Sequence, residues 1–385
     1  MGIFPEINGA TGGGRRVRDL TKGFILAGNE VEMIVPIWKK PNTISEEKID
    51  LKIVYLGSVS GGSVWTRIMF WHQIIQYVKL RNIEVILFYN TLIDSVLPAC
   101  ILRKNKRFVI AEFCDLMSSQ ISKQGFQILK KWVYRLNEWL LPKITNLNIV
   151  ISDFLYQRVA KFAPNTPIMK VPVLVDFEVF SPSNQLKNEF KNTKIITYIG
   201  SFFHHEGVSF LIKAFAKIIK QYPDIQLVIA GEHLNLPFNE DLEALSETLE
   251  IYEKVTFKGF IPTDEIKQLL EESDIVVVPQ TNDVFSRAGL PTKLAEYAAM
   301  GKAIVLTNVG DVAQYFVHQE NAIFCEPESI EALYEAICLL IEDENLRKKL
   351  AQNSRQVAQQ YFDIQHNGSV IMDKINAIKK RQKCY

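Results

Sequence analysis

Residues 289–310 read GLPTKLAEYAAMGKAIVLTNVG, with a glycine at each end, Pro-Thr-Lys near the start and a single acid, Glu296, in an apolar middle. The stretch reads as a buried helix over about 292–300 that passes into a buried strand over 303–307. Just upstream, VVVPQ (276–280) is a second buried strand, and TNDVFSRAG (281–289) reads as a loop off its C-terminal end. Strand, loop, helix and strand in that order build a parallel sheet covered by helices. Sheets of this kind bind ligands beyond the C-terminal ends of their strands.

The same alternation extends over the whole chain. Strands are expected at 31–36, 51–56, 85–89, 108–111, 147–151 and 168–173, and again at 195–199, 226–230, 254–257, 275–278, 303–307 and 322–324. The fold class is α/β, with two Rossmann-like doubly wound domains. A chain of 385 residues exceeds one ordinary core, which agrees with two. The polar stretch DFEVFSPSNQLKNEFKNTK (176–194) marks the passage between them. The expected division is 1–180, a linker at 181–194, and 195–363, with a last helix over 364–385 packing back on the first domain. The first domain opens oddly, because only MGIFPEI precedes NGATGGGRR. Its first strand is expected to be truncated.

Composition excludes several classes. With 48% apolar and 23% charged residues the chain is globular, and its five cysteines form no Cys-x-x-Cys pair. No run reaches the length that spans a bilayer, and a cytoplasmic protein is expected. The net charge of +1 hides an asymmetry. Residues 1–180 hold 23 Lys and Arg against 15 Asp and Glu, net +8, and the remainder is net −7. A basic first half suits an anionic partner such as a membrane surface or a phosphorylated acceptor. No nucleic-acid-binding motif accompanies it.

Two segments are suited to phosphate. Gly12, Gly13 and Gly14 stand before a helix expected over 17–26, so their N–H groups, with Arg15 and Arg16 beside them, could approach an anion. A bare turn needing positive φ is the plainer reading. A dinucleotide fingerprint fails here, since Val17 stands where its third glycine would fall and no acid follows the second strand. In the opening stretch, Leu290, Pro291 and Thr292 lead into a helix whose first N–H groups have no partner. Lys293 in that first turn opposes the helix dipole, and a bound diphosphate would account for it. Glu296, three residues on, shares its face and could accept from two ribose hydroxyls. An intrahelical Lys–Glu pair is the plainer alternative.

The stretch resembles the donor-site motif of family 4 retaining glycosyltransferases, enzymes with two facing Rossmann-like domains, the GT-B fold. YIGSFFHHEGVSFLIKAFAKI (198–218) resembles the first strand, loop and helix of the family's donor domain, and QLVIAGE (226–232) its second strand. KVTFKGFIPTDEIKQLLEESDIVVVPQ (254–280) resembles the segment whose loop lies on the base, and NIVISDFLYQRV with KVPVLVDFEVFSP the end of the acceptor domain. The resemblance implies a donor site containing Gly200, Ser201, Gly231, Gly259, Phe260, Pro262, Arg287, Gly289, Leu290, Pro291, Thr292, Lys293 and Glu296, with Gly13 and Gly14 contributed from the first domain. It implies a nucleotide-diphosphate sugar as donor, a glycan or lipid-linked acceptor, and neither cofactor nor metal. Three positions depart from the pattern: Ala288 stands where the family often has a glutamate, and Ser201 and Glu206 replace the usual Arg and Lys.

In the first domain FVIAEFCDLMSS (108–119) resembles the Glu-x-x-Asp-Leu-Trp pattern of some relatives, which puts Asp115 near the reacting carbon or the acceptor hydroxyl. An acid at this point could also simply cap the next segment. KKWVYRLNEWLLPK (130–143) reads as a helix whose tryptophans pack in the core and whose basic face touches a membrane. Asp115 and Lys293 are the expected catalytic residues of a retaining hexosyltransferase in surface polysaccharide assembly, at the inner face of the membrane. A sugar-nucleotide epimerase on the same fold, or a catalytically impaired nucleotide-binding relative, is the alternative.

Overall fold

The structure, a computed structural model, describes residues 12–36, 52–56, 64–90, 95–116, 127–183, 194–231 and 241–383. It divides into two compact units, Met1–Pro172 with Ile364–Tyr385, and Val173–Asp363. The division therefore falls at Pro172, ahead of the polar stretch that marks it in the sequence.

In order, the first unit contains α1 (Gly12–Leu26), β1 (Glu32–Pro36), β2 (Lys52–Leu56), α2 (Val64–Leu80), β3 (Val85–Tyr89), α3 (Val96–Lys104), β4 (Phe108–Phe113), α4 (Gln127–Ile144), β5 (Leu147–Val150), α5 (Asp153–Phe162) and β6 (Ile168–Lys170). The second contains β7 (Ile195–Ile199), α6 (Val208–Gln221), β8 (Gln226–Ala230), α7 (Leu242–Thr248), β9 (Val255–Phe257), α8 (Thr263–Glu272), β10 (Ile275–Val278), α9 (Val284–Ala288), α10 (Thr292–Ala299), β11 (Ala303–Thr307), β12 (Ile323–Cys325), α11 (Ile330–Glu342) and α12 (Glu344–Val357). Helix α13 (Ile364–Lys383) then returns to the first unit.

The second unit is a six-stranded parallel sheet of order β12-β11-β10-β7-β8-β9. Strands β7, β10 and β11 are buried along their whole length, as uninterrupted runs such as IVVV require when helices cover both faces. The amphipathic helix α6 lays Leu211, Ile212, Phe215 and Ile218 on the sheet. Polar caps fix where helices begin: the Asp343 carboxylate accepts from the Leu346 N–H at 2.8 Å, and the Ser329 hydroxyl from the Ala332 N–H at 3.1 Å.

Among the described residues the first unit holds two sheets. Strands β3-β4-β5-β6 form one parallel sheet and β1-β2 a second. Among the described residues β1 pairs only with β2, and β3 only with β4. A cavity of about 700 Å³ separates the two edges, lined by Met33 and Ile34 of β1, Val85 and Leu87 of β3, and Phe24 of α1. A doubly wound order would place a strand preceding α1 in this position. The residues before Gly12 lie outside the described residues.

Helix α13 lies along α1, and the two backbones meet at glycines. A Cβ on Gly368 would fall 2.2 Å from the Gly23 carbonyl oxygen, and one on Gly23 2.7 Å from that of Ile364. Gly368→Val should therefore force the helices apart and cost about 1 to 3 kcal/mol. Urea denaturation followed by far-UV circular dichroism measures this, and an unchanged midpoint would show that the helices separate freely.

Helix α4 corrects a sequence expectation. Its core face is Tyr134, Asn137, Glu138 and Leu141, whereas Trp132 is 62% and Trp139 44% exposed. The tryptophans do not pack in the core. Among the described residues no helix is long and apolar enough to cross a membrane.

Candidate functional site

In the second unit β7 lies between β8 and β10, so the strand order reverses there. In such sheets ligands usually bind at a reversal of this kind, here at the C-terminal ends of β7 and β10. Three glycines let the loops at this edge pack backbone against backbone. A Cβ on Gly207, whose φ is +69°, would fall 1.9 Å from the Pro279 carbonyl oxygen. One on Gly231 would fall 1.8 Å from that of Gly200, and one on Gly200 2.5 Å from the Lys293 Nζ. Any side chain at Gly200 would thus displace the lysine.

The loop 281–289 contains a short helix, α9, that the sequence did not suggest. The Asp283 carboxylate accepts from the Ser286 N–H at 2.8 Å and so starts it. Helix α10 follows, with Pro291 at its N-cap and neither a capping side chain nor an acid in its first turn. The positive end of its dipole is therefore uncompensated by acid within the helix.

Lys293 and Glu296 are both buried, at 6% and 4% exposure. Lys293 reaches across to β7 and to the three-residue 3₁₀ turn His204–Glu206. Its Nζ donates to the Glu206 carboxylate at 2.6 Å and to the Tyr198 hydroxyl at 2.9 Å, 4.4 Å from the Tyr198 ring centroid. The Tyr198 hydroxyl in turn donates to the Ser201 carbonyl at 2.7 Å. Burial alone would raise the Glu206 carboxyl, but the Lys293 charge, with His205 and the hydrogen bonds, outweighs it and holds the group below the usual carboxylate range. Position 206, read from the sequence as a lost cation, is the counter-ion of Lys293.

The neighbouring histidines differ. His204 is exposed, but His205 lies between Phe203 and Phe285, ring centroids 5.5 and 4.3 Å away, and burial lowers its pKa. Its carbonyl accepts from the Thr281 N–H at 3.0 Å, which ties the turn to the loop after β10. His205 is thus a packing residue rather than a solvated one.

Other expected donor-site residues are placed less centrally. Arg287 is exposed, and its Nε donates to the Asp283 carbonyl at 3.3 Å. Ala288 is fully buried, and Leu290 nearly so. Gly259 has φ +63° and accepts from the Gly231 N–H at 2.8 Å. Phe260 beyond it is exposed, and Pro262 is the N-cap of α8. Gly289 follows α9, and Thr292 opens α10.

The glycine-rich start of the first unit is corrected more fully. Gly12, Gly13 and Gly14 are the first turn of α1, not a loop before it, and neither Gly13 nor Gly14 has positive φ. The space over Gly13 is taken by the Tyr89 hydroxyl, 3.2 Å from where a Cβ would stand. Arg16 is turned inward at 2% exposure. Its Nε donates to Glu112 Oε1 at 3.0 Å, its Nη2 to the Val171 carbonyl at 3.0 Å, and its Nη1 to the Pro172 carbonyl. Burial opposes the charge of Arg16, but Glu112 outweighs it and raises the pKa further. Asp115, also in this unit, accepts from the Asn90 amide at 3.1 Å, and the Asn90 oxygen accepts from the Cys114 and Asp115 N–H groups at 3.1 and 3.3 Å. Burial raises the Asp115 carboxyl, against that hydrogen bond. Among the described residues no group of three or more His, Cys, Asp and Glu side chains is disposed to hold a metal.

A helix-covered parallel sheet whose strand order reverses at β7 defines a Rossmann-like domain. Residues 182–357 match the family model described as glycosyl transferases group 1. The chain is 27% identical over 221 residues to an uncharacterized glycosyltransferase of Methanocaldococcus jannaschii, covering 54% of each. It spans about half the length of the first curated relatives it matches. Its fold is GT-B, similar to sucrose-phosphate synthase from Thermosynechococcus elongatus (TM-score 0.78, 18% identity, 96% of this chain and 94% of that one). It is also similar to Anabaena HepE in complex with UDP-glucose (TM-score 0.67, 17% identity, 85% and 86%).

Proposed function

We propose that the chain is a retaining glycosyltransferase that moves a sugar from a nucleotide-diphosphate donor to a carbohydrate or lipid-linked acceptor in surface polysaccharide assembly. The observation that carries this reading is Lys293, a buried cation at the uncapped start of α10 and at the switch point of the sheet. In that position the ammonium and the first N–H groups of the helix face the charge that develops on a leaving diphosphate. No metal is required for this step. Glu296, one turn further on, holds the ribose hydroxyls, and Gly259, Phe260 and Pro262 border the base. Asp115 of the first unit, with its carboxyl raised by burial, serves the acceptor hydroxyl. Support comes from the family match of residues 182–357 and from the UDP-glucose bound by a protein of similar fold.

Calorimetric titration with UDP and GDP, each with and without magnesium, tests the reading. One of them should bind without metal; a folded protein that binds neither would overturn it. Glu296→Ala should then weaken the bound nucleotide by about 1.5 to 3 kcal/mol, the worth of hydrogen bonds to a charged group. An unchanged affinity would remove the ribose role.

A further inference from the structure

Helix α4 carries two faces. At 100° per residue, Tyr134, Asn137, Glu138 and Leu141 fall together and are buried. Opposite them, within about 100° of arc, Ile128, Trp132, Arg135, Leu136, Trp139 and Lys143 are all exposed. Ile128, Trp132, Leu136 and Trp139 thus form a continuous apolar stripe on the surface of the chain, and such a stripe needs an account.

The charges on the exposed face of α4 itself are of one sign. Arg135 lies over the Trp132 ring, 5.5 Å from its centroid, and the Lys143 Nζ lies 3.3 Å from that of Trp139. The only acid of α4, Glu138, is on the buried face, bridged to Arg158 at 2.9 Å. Helix α3, packed beside α4, ends in Arg103 and Lys104. The exposed face of α4 is therefore aromatic, aliphatic and cationic, without an acid.

That combination selects one kind of partner. A second copy of the chain meeting this face symmetrically would bring cation against cation, because a two-fold interface pairs a patch with itself. Anionic headgroups give the complementary charge, and tryptophans settle at the boundary between headgroup and acyl chain. We infer that the exposed face of α4 docks the protein on a membrane surface rich in anionic phospholipid. Arg135 and Lys143 meet the headgroup phosphates while Trp132, Leu136 and Trp139 enter the interface. The inference stands independently of the nucleotide reading.

Sedimentation of the full chain with phosphatidylcholine vesicles, with and without phosphatidylglycerol, tests it. Binding should require phosphatidylglycerol and fall as salt rises. Trp132→Ser/Trp139→Ser and Arg135→Glu/Lys143→Glu should each lower partitioning about tenfold or more, the first by removing the interfacial aromatics and the second by turning attraction to the headgroups into repulsion. Both pairs are exposed, so melting temperatures should not move. Either double variant binding like the parent would overturn the inference, as would a parent that ignores the vesicles. A dimer seen by sedimentation velocity and abolished by both variants, without vesicle binding, would assign the face to a second copy and also overturn it.

Discussion

Arg16→Leu should destabilise the first unit by about 3 to 5 kcal/mol, the cost of leaving a buried charge without its partner. The substitution strands the Glu112 carboxylate, which is fully buried. It also frees the Val171 and Pro172 carbonyls, so three elements, α1, β4 and the chain beyond β6, lose a common anchor. The pair Arg16→Leu/Glu112→Leu should recover most of the loss, because two apolar side chains bury without an uncompensated charge. Urea denaturation of the parent, both single variants and the double variant gives the coupling directly. A single variant as stable as the parent would show that the ion pair is incidental to folding.

The sequence made the strands legible because buried parallel strands are uninterrupted apolar runs. β1, β3, β7, β8, β10 and β11 fall within a residue of where the runs place them. What it concealed depends on contacts far apart in the chain. Arg16 and Glu112 stand 96 residues apart, and Lys293 and Glu206 87. Local pattern could show only that each was a charge in an apolar neighbourhood. Helix α4 failed for a different reason. Tyr134 and Leu141 make one apolar face, Trp132, Leu136 and Trp139 another, and a helix with two such faces does not announce which one meets the core. The glycines of α1 were misplaced because a run of three reads as a turn, although here helical geometry persists through it and lets Tyr89 approach. Glu206 showed in the sequence as an anomaly, and only the fold makes it the counter-ion of Lys293.

Lys293→Met and Glu206→Gln should move nucleotide affinity in opposite directions. In the free protein Lys293 already has an anion, Glu206, at 2.6 Å. A diphosphate entering this site must share or displace that carboxylate, and two like charges about 4 Å apart repel by about 4 kcal/mol at an effective dielectric near 20. Glu206→Gln keeps the shape, removes the repulsion and should tighten UDP about tenfold while leaving uridine unchanged. Lys293→Met should weaken UDP by about 2 kcal/mol, within the range of charge-assisted hydrogen bonds, again sparing uridine. It should also destabilise the second unit by about 3 to 5 kcal/mol, because Glu206 is then buried alone. Since the Glu206 carboxyl is held below its ordinary value, the stability of the pair is present above the unfolded carboxyl pKa and is lost as pH falls through the folded one. The parent and the Glu206→Gln variant should therefore converge in stability in acid. If Glu206→Gln weakens UDP instead, Glu206 orients the ammonium toward the diphosphate. The carboxylate would then be part of the binding site and not its competitor.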